Sequence, residues 1–185
     1  IEDFTSALKE FDMAIKVAPD QARWLNDRAD FYRERGELDK ALEDYAKAIK
    51  ISNDDDGSSR ALNNRALIYW NQEKWNLCIE EFTKAIEIYS TEPLYYQNRA
   101  RIYQIINEYD KALADFNKTI ELDPDDPDNY YYRAKYFIEI EDFTSALKEF
   151  DMAIKVAPDQ ARWLNDRADF YEERGELDKA LEDYA

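Results

Sequence analysis

The chain has 185 residues, of which 36% are charged and 15% are aromatic, and its net charge is −17. This composition excludes an intrinsically disordered segment, and no apolar run reaches the roughly 18 residues that a membrane-spanning helix needs. The negative charge disfavours nucleic acid and anionic membranes as partners, and the absence of histidine removes the commonest general base and transition-metal ligand.

The chain contains a copy of its own first segment. Residues 1–46 recur as residues 140–185, at an offset of 139, and the two segments differ only where Arg33 is replaced by Glu172. A shorter period lies between the copies, because Arg-Ala dipeptides lie at intervals of 37, 34, 34 and 34 residues when counted from Arg28 through Arg65, Arg99, Arg133 and Arg167. Periods of this length are typical of repeat proteins, in which similar units stack in an array.

The 34-residue period divides the chain into units. We treat the whole chain, 1–185, as a single array, with three additional residues in the first interval. In chain order, we predict a partial repeat at 1–21, a repeat at 22–55, an insertion at 56–58, repeats at 59–92, 93–126 and 127–160, and a partial repeat at 161–185. The first partial repeat corresponds to the second helix of a unit.

Each repeat has the hydrophobic pattern of two amphipathic helices. In the repeat at 93–126, Tyr96 and Ala100 share one face of a first helix. A second helix begins near Tyr109 and ends before Pro124, because proline cannot continue a helix interior. Every second helix has a small residue at one position, which lets two helices approach closely, and a ring at another. These are Ala7, Ala41, Cys78, Ala112, Ala146 and Ala180, and Phe11, Tyr45, Phe82, Phe116, Phe150 and Tyr184.

The pattern of these residues resembles the tetratricopeptide repeat. The repeat at 127–160 has all seven characteristic residues, namely Ala134, Phe137, Phe143, Ala146, Phe150, Ala153 and Pro158. The resemblance covers essentially the whole chain and implies an all-α fold, a right-handed superhelical solenoid of antiparallel helix pairs. It also implies a scaffold that binds a protein or peptide partner.

Few residues are candidates for catalysis or metal binding. Between Ser52 and Asn63, Asp54 and Gly57 fall where a calcium loop needs a ligand and a glycine, but the loop lacks its first aspartate and its last, bidentate glutamate. We therefore expect a solvated turn there, with Gly57 supplying backbone freedom. No glycine-rich phosphate loop is present, and Cys78 has no histidine partner. We predict no catalytic residue, no cofactor and no metal.

An arginine occupies the seventh position of every unit, on the side of the first helix that approaches the second. A buried guanidinium needs a partner, and a carboxylate follows sixteen residues later in every case. We predict a ladder of structural ion pairs within the repeats: Arg28 with Asp44, Arg65 with Glu81, Arg99 with Asp115, Arg133 with Glu149, and Arg167 with Asp183.

The resemblance assigns partner binding to a concave groove lined by the first helices. The positions it assigns are occupied by Arg60, Asn63, Asn64, Leu67, Trp70, Leu94, Gln97, Asn98, Arg101, Tyr131, Tyr132, Lys135 and Ile138. Among them we expect Trp70, Leu94, Tyr131 and Ile138 to be exposed and to anchor an extended or helical peptide.

Two other interpretations stay open. In the first, Leu67, Trp70 and Ile105 pack against neighbouring helices, and the groove is only solvated or contacts another copy of the chain. In the second, the chain is a structural segment of a longer or self-assembling array, because neither end has a polar capping helix and open ends stack. The single cysteine, Cys78, fits a core position and a reducing, cytoplasmic location.

Overall fold

The computed structural model describes residues 4–52 and 55–185, and these ranges contain helices and turns but no strand. Asp54 and the first three residues of the predicted partial repeat 1–21 lie outside them. Eleven helices occur in the described ranges: α1 (Phe4–Val17), α2 (Ala22–Glu34), α3 (Leu38–Ile51), α4 (Asp55–Asn71), α5 (Trp75–Ile88), α6 (Pro93–Ile105), α7 (Tyr109–Leu122), α8 (Pro127–Glu139), α9 (Phe143–Val156), α10 (Ala161–Glu173) and α11 (Leu177–Tyr184).

Consecutive helices form antiparallel pairs, each consisting of a first and a second helix. In the pair α2 and α3, Arg28 contacts Asp44, whereas Tyr32, one turn later on α2, contacts Lys40, one turn earlier on α3. From the first contact to the second, the position moves towards the C-terminus of α2 and towards the N-terminus of α3. The two helices therefore run in opposite directions. The pair α10 and α11 has the same arrangement. The predicted all-α fold of helix pairs is confirmed.

The corner inside each pair has one recurrent geometry. A residue with positive φ follows the first helix: Gly36 (75°), Glu73 (55°), Asn107 (61°), Glu141 (60°) and Gly175 (73°). At the first corner, the N–H of Glu37 donates to the carbonyl of Tyr32 at 2.9 Å, and the N–H of Gly36 donates to the carbonyl of Arg33 at 3.0 Å. These bonds satisfy carbonyls that the helix end would otherwise leave without a partner. The chain can therefore reverse direction within a few residues.

Small and aromatic residues of the second helices form the cores. The small residues Ala41, Cys78, Ala112 and Ala146 and the rings of Tyr45, Phe82, Phe116 and Phe150 are at most 1% exposed. Complete burial of one such phenylalanine ring contributes about 1.5–3 kcal/mol relative to an exposed ring. The same positions are partly exposed in α1, and the ring of Tyr184 in α11 is 44% exposed. Burial therefore depends on the helices that flank each position.

The inserted residues 56–58 do not form the expected turn. They lie in the first turn of α4, which has 17 residues, whereas α2 and α8 have 13 each. Ser58 and Ser59 are buried, and the carbonyl of Gly57 accepts a hydrogen bond from Asn26 Nδ2 at 3.0 Å. The expectation of a solvated turn is wrong, because the backbone there is helical, Ser58 is buried and Gly57 accepts a hydrogen bond from α2.

The chain forms two compact units, one up to Tyr95 and one from Tyr96 onwards, and the division falls within α6. Unit 1 contains α1 to α5 and has a core of small and large apolar residues, including Ala29, Tyr45 and Ile68. Unit 2 contains α7 to α11, and one of its buried clusters joins Phe150 to Phe170.

Candidate partner-binding surface

Polar side chains connect the first helices of unit 1, α2 and α4. Arg60 Nη2 donates to Asp27 at 3.0 Å, and Asn64 Nδ2 donates to Asp30 at 2.8 Å. The hydroxyl of Tyr45 also donates to Asp30. Burial raises the pKa of Tyr45, and the carboxylate of Asp30 raises it further. Partners within the protein therefore occupy the carboxylates of this face.

The apolar residues predicted for the surface of unit 1 differ in exposure. Leu94 is 46% exposed, whereas Leu67 and Trp70 are partly buried. The Trp70 ring packs edge-on against Trp75, with 6.3 Å between the ring centroids. Contrary to the expectation of an exposed anchor, Trp70 is partly buried, and the neighbouring indole of Trp75 covers part of its ring.

Three amides predicted to line the groove are buried. Asn63, Gln97 and Asn98 are 6%, 9% and 5% exposed. Asn63 Nδ2 donates to Asn64 Oδ1 at 3.0 Å, so this amide is used inside the protein. The remaining surface of these residues is too small for substantial contact with a partner, which corrects the expectation for the three positions.

The first helices of unit 2 present rings with cations above them. The guanidinium of Arg101 lies 5.3 Å from the ring centroid of Tyr132, and the ammonium of Lys135 lies 6.0 Å from that of Tyr131. Contacts of this kind contribute about 0.5–1 kcal/mol at exposed sites. Tyr131 and Tyr132 are both partly buried and pack against each other at 5.5 Å. This surface consequently has a restricted set of side-chain conformations.

A cleft of about 180 Å³ opens between α8 and α10. Its apolar side includes Phe150 and Phe170, whose ring centroids are 5.8 Å apart, with Ile138 packed against them. Ile138 and Tyr131, expected to be exposed, are partly buried because they belong to this apolar side. The complete lining is Tyr131, Lys135, Ile138, Phe150, Asp166, Asp169, Phe170 and Glu173. The α8–α10 cleft thus combines an apolar side with three carboxylates and one ammonium group.

The carboxylate of Asp166 is incompletely neutralised. Burial raises the pKa of Asp166, and this effect and that of Asp169 outweigh the lowering by Arg162. Asp166 Oδ2 is shielded from solvent and accepts no hydrogen bond from the described residues. Arg162 Nε lies 3.7 Å from that oxygen, and Arg162 Nη1 is 3.2 Å from Asp128.

The sequence-based prediction missed the part of the cleft that α10 contributes. Arg162, Asp166, Asp169 and Glu173 occupy the second, sixth, ninth and thirteenth positions of the partial repeat at 161–185. The resemblance to the tetratricopeptide repeat assigns these four positions to the groove in every 34-residue repeat. The signal was therefore present, but the predicted surface included no residue of the last partial repeat.

Each arginine of the predicted ladder lies against its predicted carboxylate. Representative distances are 2.6 Å for Arg28–Asp44, 2.6 Å for Arg65–Glu81, 2.7 Å for Arg99–Asp115, 2.8 Å for Arg133–Glu149 and 2.6 Å for Arg167–Asp183. The arginine side chains are 15–21% exposed and the carboxylates 4–11%. Hydrogen bonding to Asp44 raises the pKa of Arg28. The pairs join the two helices of each repeat, which supports a structural role.

Ladder arginines also contact the preceding second helix. The acceptors lie sixteen residues earlier in the chain, where Arg28 donates to Asp12, Arg133 to Asn117 and Arg167 to Asp151. Such an arginine joins two consecutive second helices. The sequence contains this backward spacing of sixteen residues as well as the forward one.

Other candidate groups have structural environments. Cys78 is free and 0% exposed, its Sγ donates to the carbonyl of Ala66 at 3.4 Å, and burial raises the pKa of its thiol to about 11. Across residues 4–52 and 55–185, no cluster of three or more histidine, cysteine or acidic residues is arranged to hold a metal ion. No helix in these ranges is long and apolar enough to cross a bilayer.

Comparisons of the sequence with known families agree with the fold. Models of the tetratricopeptide repeat match residues 20–91, 93–126 and 131–185. The tetratricopeptide repeat protein 36 homolog of Nematostella vectensis is 46% identical over 52 residues, which are 28% of this chain. The matched segment spans only 29% of the length of that relative.

Solved structures are also similar to this chain. The pilF protein of Pseudomonas aeruginosa has a TM-score of 0.77 and 17% identity, with 98% of this chain and 81% of that chain covered. YrrB, a tetratricopeptide repeat protein with an unusual peptide-binding site, has a TM-score of 0.67 and 19% identity, with coverage of 89% and 84%. At these identities the similarity concerns the fold alone.

Proposed function

The chain belongs to the tetratricopeptide repeat family, and we propose that it is a non-enzymatic scaffold that binds a peptide segment of a protein partner on its first helices. The proposal includes no catalytic step, cofactor, metal, nucleic acid or membrane. A cytoplasmic location is part of it, because the single cysteine, Cys78, is free. The proposal that this chain binds a peptide is made partly by analogy with YrrB, which has a peptide-binding site.

The observation that carries the proposal is the surface of α8 in unit 2. Tyr131 and Tyr132 are held by ring contacts and by the cations of Lys135 and Arg101, and the α8–α10 cleft opens beside them. Aromatic side chains that are already ordered contact a ligand at low entropic cost, and tyrosine and arginine are enriched among residues that dominate binding energy. The predicted contact residues that remain accessible are Arg60, Asn64, Leu67, Trp70, Leu94, Arg101, Tyr131, Tyr132, Lys135 and Ile138.

Selection from a phage-displayed random-peptide library tests this proposal. We expect enriched peptides whose affinity, measured by fluorescence anisotropy, falls about tenfold or more in Tyr131→Ala, as for a central aromatic contact. The substitution Lys135→Ala examines the same surface without removing a packed ring. Tyr89→Ala is the matched control, because Tyr89 is exposed at the end of the second helix α5.

Two outcomes would contradict the peptide-binding proposal. One is the absence of any enriched peptide. The other is an affinity that neither Tyr131→Ala nor Lys135→Ala changes, with circular dichroism showing that both variants are folded.

Exposed apolar residues on α1 and α11 favour a second candidate function, self-association of the array. Met13 and Val17 are 67% and 80% exposed, and Leu177 and Leu181 are 57% and 67% exposed. Apolar clefts of about 320 and 240 Å³ lie on these helices. Exposed apolar patches are favourable surfaces for association.

Light scattering coupled to size-exclusion chromatography over a wide range of protein concentration tests self-association. A mass that rises with concentration, and that Leu181→Lys returns to the 22.0 kDa monomer, would support association through α11. A constant monomer mass would contradict it. The peptide-binding proposal does not depend on this result.

A further inference from the structure

The joint between the repeats at 22–55 and 59–92 lacks a bond found at other joints. There, a ladder arginine donates to the preceding second helix, at the residue that directly follows the core ring. Such pairs are Arg28 with Asp12, Arg133 with Asn117, and Arg167 with Asp151. In α3, the residue after the ring of Tyr45 is Ala46, whose methyl group cannot accept a hydrogen bond. Within the described ranges, Arg65 accordingly donates to Glu81 of its own repeat and to no residue of α3.

Both helices that flank Arg65 are present in the structure, and α3 packs closely against α4. One buried cluster includes Tyr45 and Ala48 of α3 together with Ala61 and Ile68 of α4. The joint is therefore formed, and it differs from the others in the polar bond that crosses it.

Hydrogen bonds between the first helices α2 and α4 cross the same joint. Asn26 Nδ2 donates to the carbonyl of Gly57 at 3.0 Å, Arg60 Nη2 donates to Asp27 at 3.0 Å, and Asn64 Nδ2 donates to Asp30 at 2.8 Å. They extend over about one turn of α2 and two turns of α4. The inserted residues 56–58 take part, because Gly57 is one of them. We call this set of hydrogen bonds the α2–α4 latch.

The latch bonds have different degrees of burial. Asn26 is 1% exposed, whereas the side chains of Asp27 and Arg60 are 30% and 43% exposed. A hydrogen bond within a protein typically changes an equilibrium constant by roughly two- to tenfold. Several such bonds across one joint are thus sufficient to replace a single arginine bond.

We propose that the α2–α4 latch replaces the missing arginine bond and controls how readily α2 and α3 separate from α4. In repeat arrays, each repeat is stabilised by its interfaces with the neighbouring repeats, and local opening follows the weakest interfaces. The proposal concerns the coupling between repeats and does not depend on peptide binding.

Hydrogen exchange on the complete chain, followed by mass spectrometry, tests the latch. In Arg60→Ala/Asn64→Ala, amides of α2 and α3 should exchange about tenfold faster, while those of α9 in unit 2 keep their rates. Arg60→Gln alone should accelerate the same helices less. The matched control is Arg23→Ala, because Arg23 is also a cation beside Asp27, at 3.5 Å, but lies on α2 itself.

A rescue experiment tests whether the latch stands in for the arginine bond. Ala46→Asp places a carboxylate directly after the core ring, as Asp12 follows Phe11 in α1. Added to Arg60→Ala/Asn64→Ala, it should recover a few-fold of the lost protection by accepting from Arg65. Ala46→Lys at the same position has no acceptor and should recover none.

Three outcomes would overturn the proposal. One is unchanged exchange of α2 and α3 in Arg60→Ala/Asn64→Ala and in Arg60→Gln, with circular dichroism showing that both variants are folded. Another is an equal acceleration of α9, which would indicate a loss of stability throughout the chain. The third is equal recovery by Ala46→Asp and Ala46→Lys.

Discussion

Arg99 and Asp115 show what the buried ion pairs contribute to the protein. Nε and Nη2 of Arg99 donate to the two carboxylate oxygens at 2.7 and 2.8 Å. The side chains are 15% and 9% exposed, so water compensates little of their charge. Removing one member of such a pair leaves a charge in a poorly hydrated site, which costs about 3–5 kcal/mol. Neither Arg99 nor Asp115 can therefore be replaced alone without loss of stability, even if an apolar pair in their place would be equally stable.

We predict that Arg99→Met lowers the free energy of unfolding by about 3 kcal/mol. Urea denaturation followed by circular dichroism measures this change. The double variant Arg99→Met/Asp115→Leu should recover most of the loss, because no unpaired carboxylate remains. The exposed pair of Lys118 and Glu121 supplies the control, since Glu121→Gln should change stability by less than about 0.5 kcal/mol. Equal losses for Arg99→Met and Glu121→Gln would contradict a stabilising role of the ladder.

At the level of helices, the corners use one backbone geometry with different residues. Gly36 and Gly175 adopt positive φ without a side-chain penalty, whereas Glu73, Asn107 and Glu141 adopt it as non-glycine residues. For such residues, the left-handed conformation costs roughly 1–2 kcal/mol. The recurrent hydrogen bonds at the helix ends maintain the geometry despite this cost.

We predict that Glu141→Gly stabilises the protein by about 0.5–1 kcal/mol, because relief of the strained φ outweighs the entropy lost by glycine. Gly175→Ala should destabilise it by about 1 kcal/mol. A Cβ atom at Gly175 meets nothing within 4 Å, so this cost arises from the backbone conformation. Thermal unfolding measures both changes. As a control, glycine at the exposed helical residue Ala114 should be destabilising, and stabilisation there would contradict the explanation.

At the level of the whole molecule, comparing α3 with α11 shows how the surroundings of a segment change its burial when its sequence stays the same. Residues 38–45 and 177–184 have the same sequence and the same helical conformation. Tyr45 is 0% exposed in a cluster that includes residues of α4, whereas Tyr184 is 44% exposed. In repeat arrays, stability depends on contacts with neighbouring repeats as well as on the repeat itself.

We predict that backbone amides of α11 exchange with solvent about tenfold or more faster than those of α3, because fewer apolar contacts oppose local opening. Hydrogen exchange followed by nuclear magnetic resonance distinguishes the two segments, which have identical sequences. Because the sequences are identical, the two segments have the same intrinsic exchange rates and helix propensities, and these do not contribute to the difference. Equal protection would show that local sequence, rather than packing, sets the stability of these helices.

The candidate surface could be predicted only in part. The register predicted that Tyr131 and Lys135 share one face of a first helix, because a helical period fixes which positions lie together, and both residues line the α8–α10 cleft. It could not show that Asn63 and Asn98 are buried or that Trp75 covers part of Trp70, because these outcomes depend on side chains from other elements.

The sequence by itself determined that the chain forms paired helices and which arginine meets which carboxylate, because the helical period and the sixteen-residue spacing can be read from the chain. It did not determine where α4 begins. Only the tertiary structure decided which of two identical residues is buried or paired. Asp27 accepts a hydrogen bond from Arg60 on an adjacent helix, whereas Asp166 lines an open cleft. The physical reason is that burial and charge compensation depend on the atoms that surround a side chain, and identical segments have different neighbours.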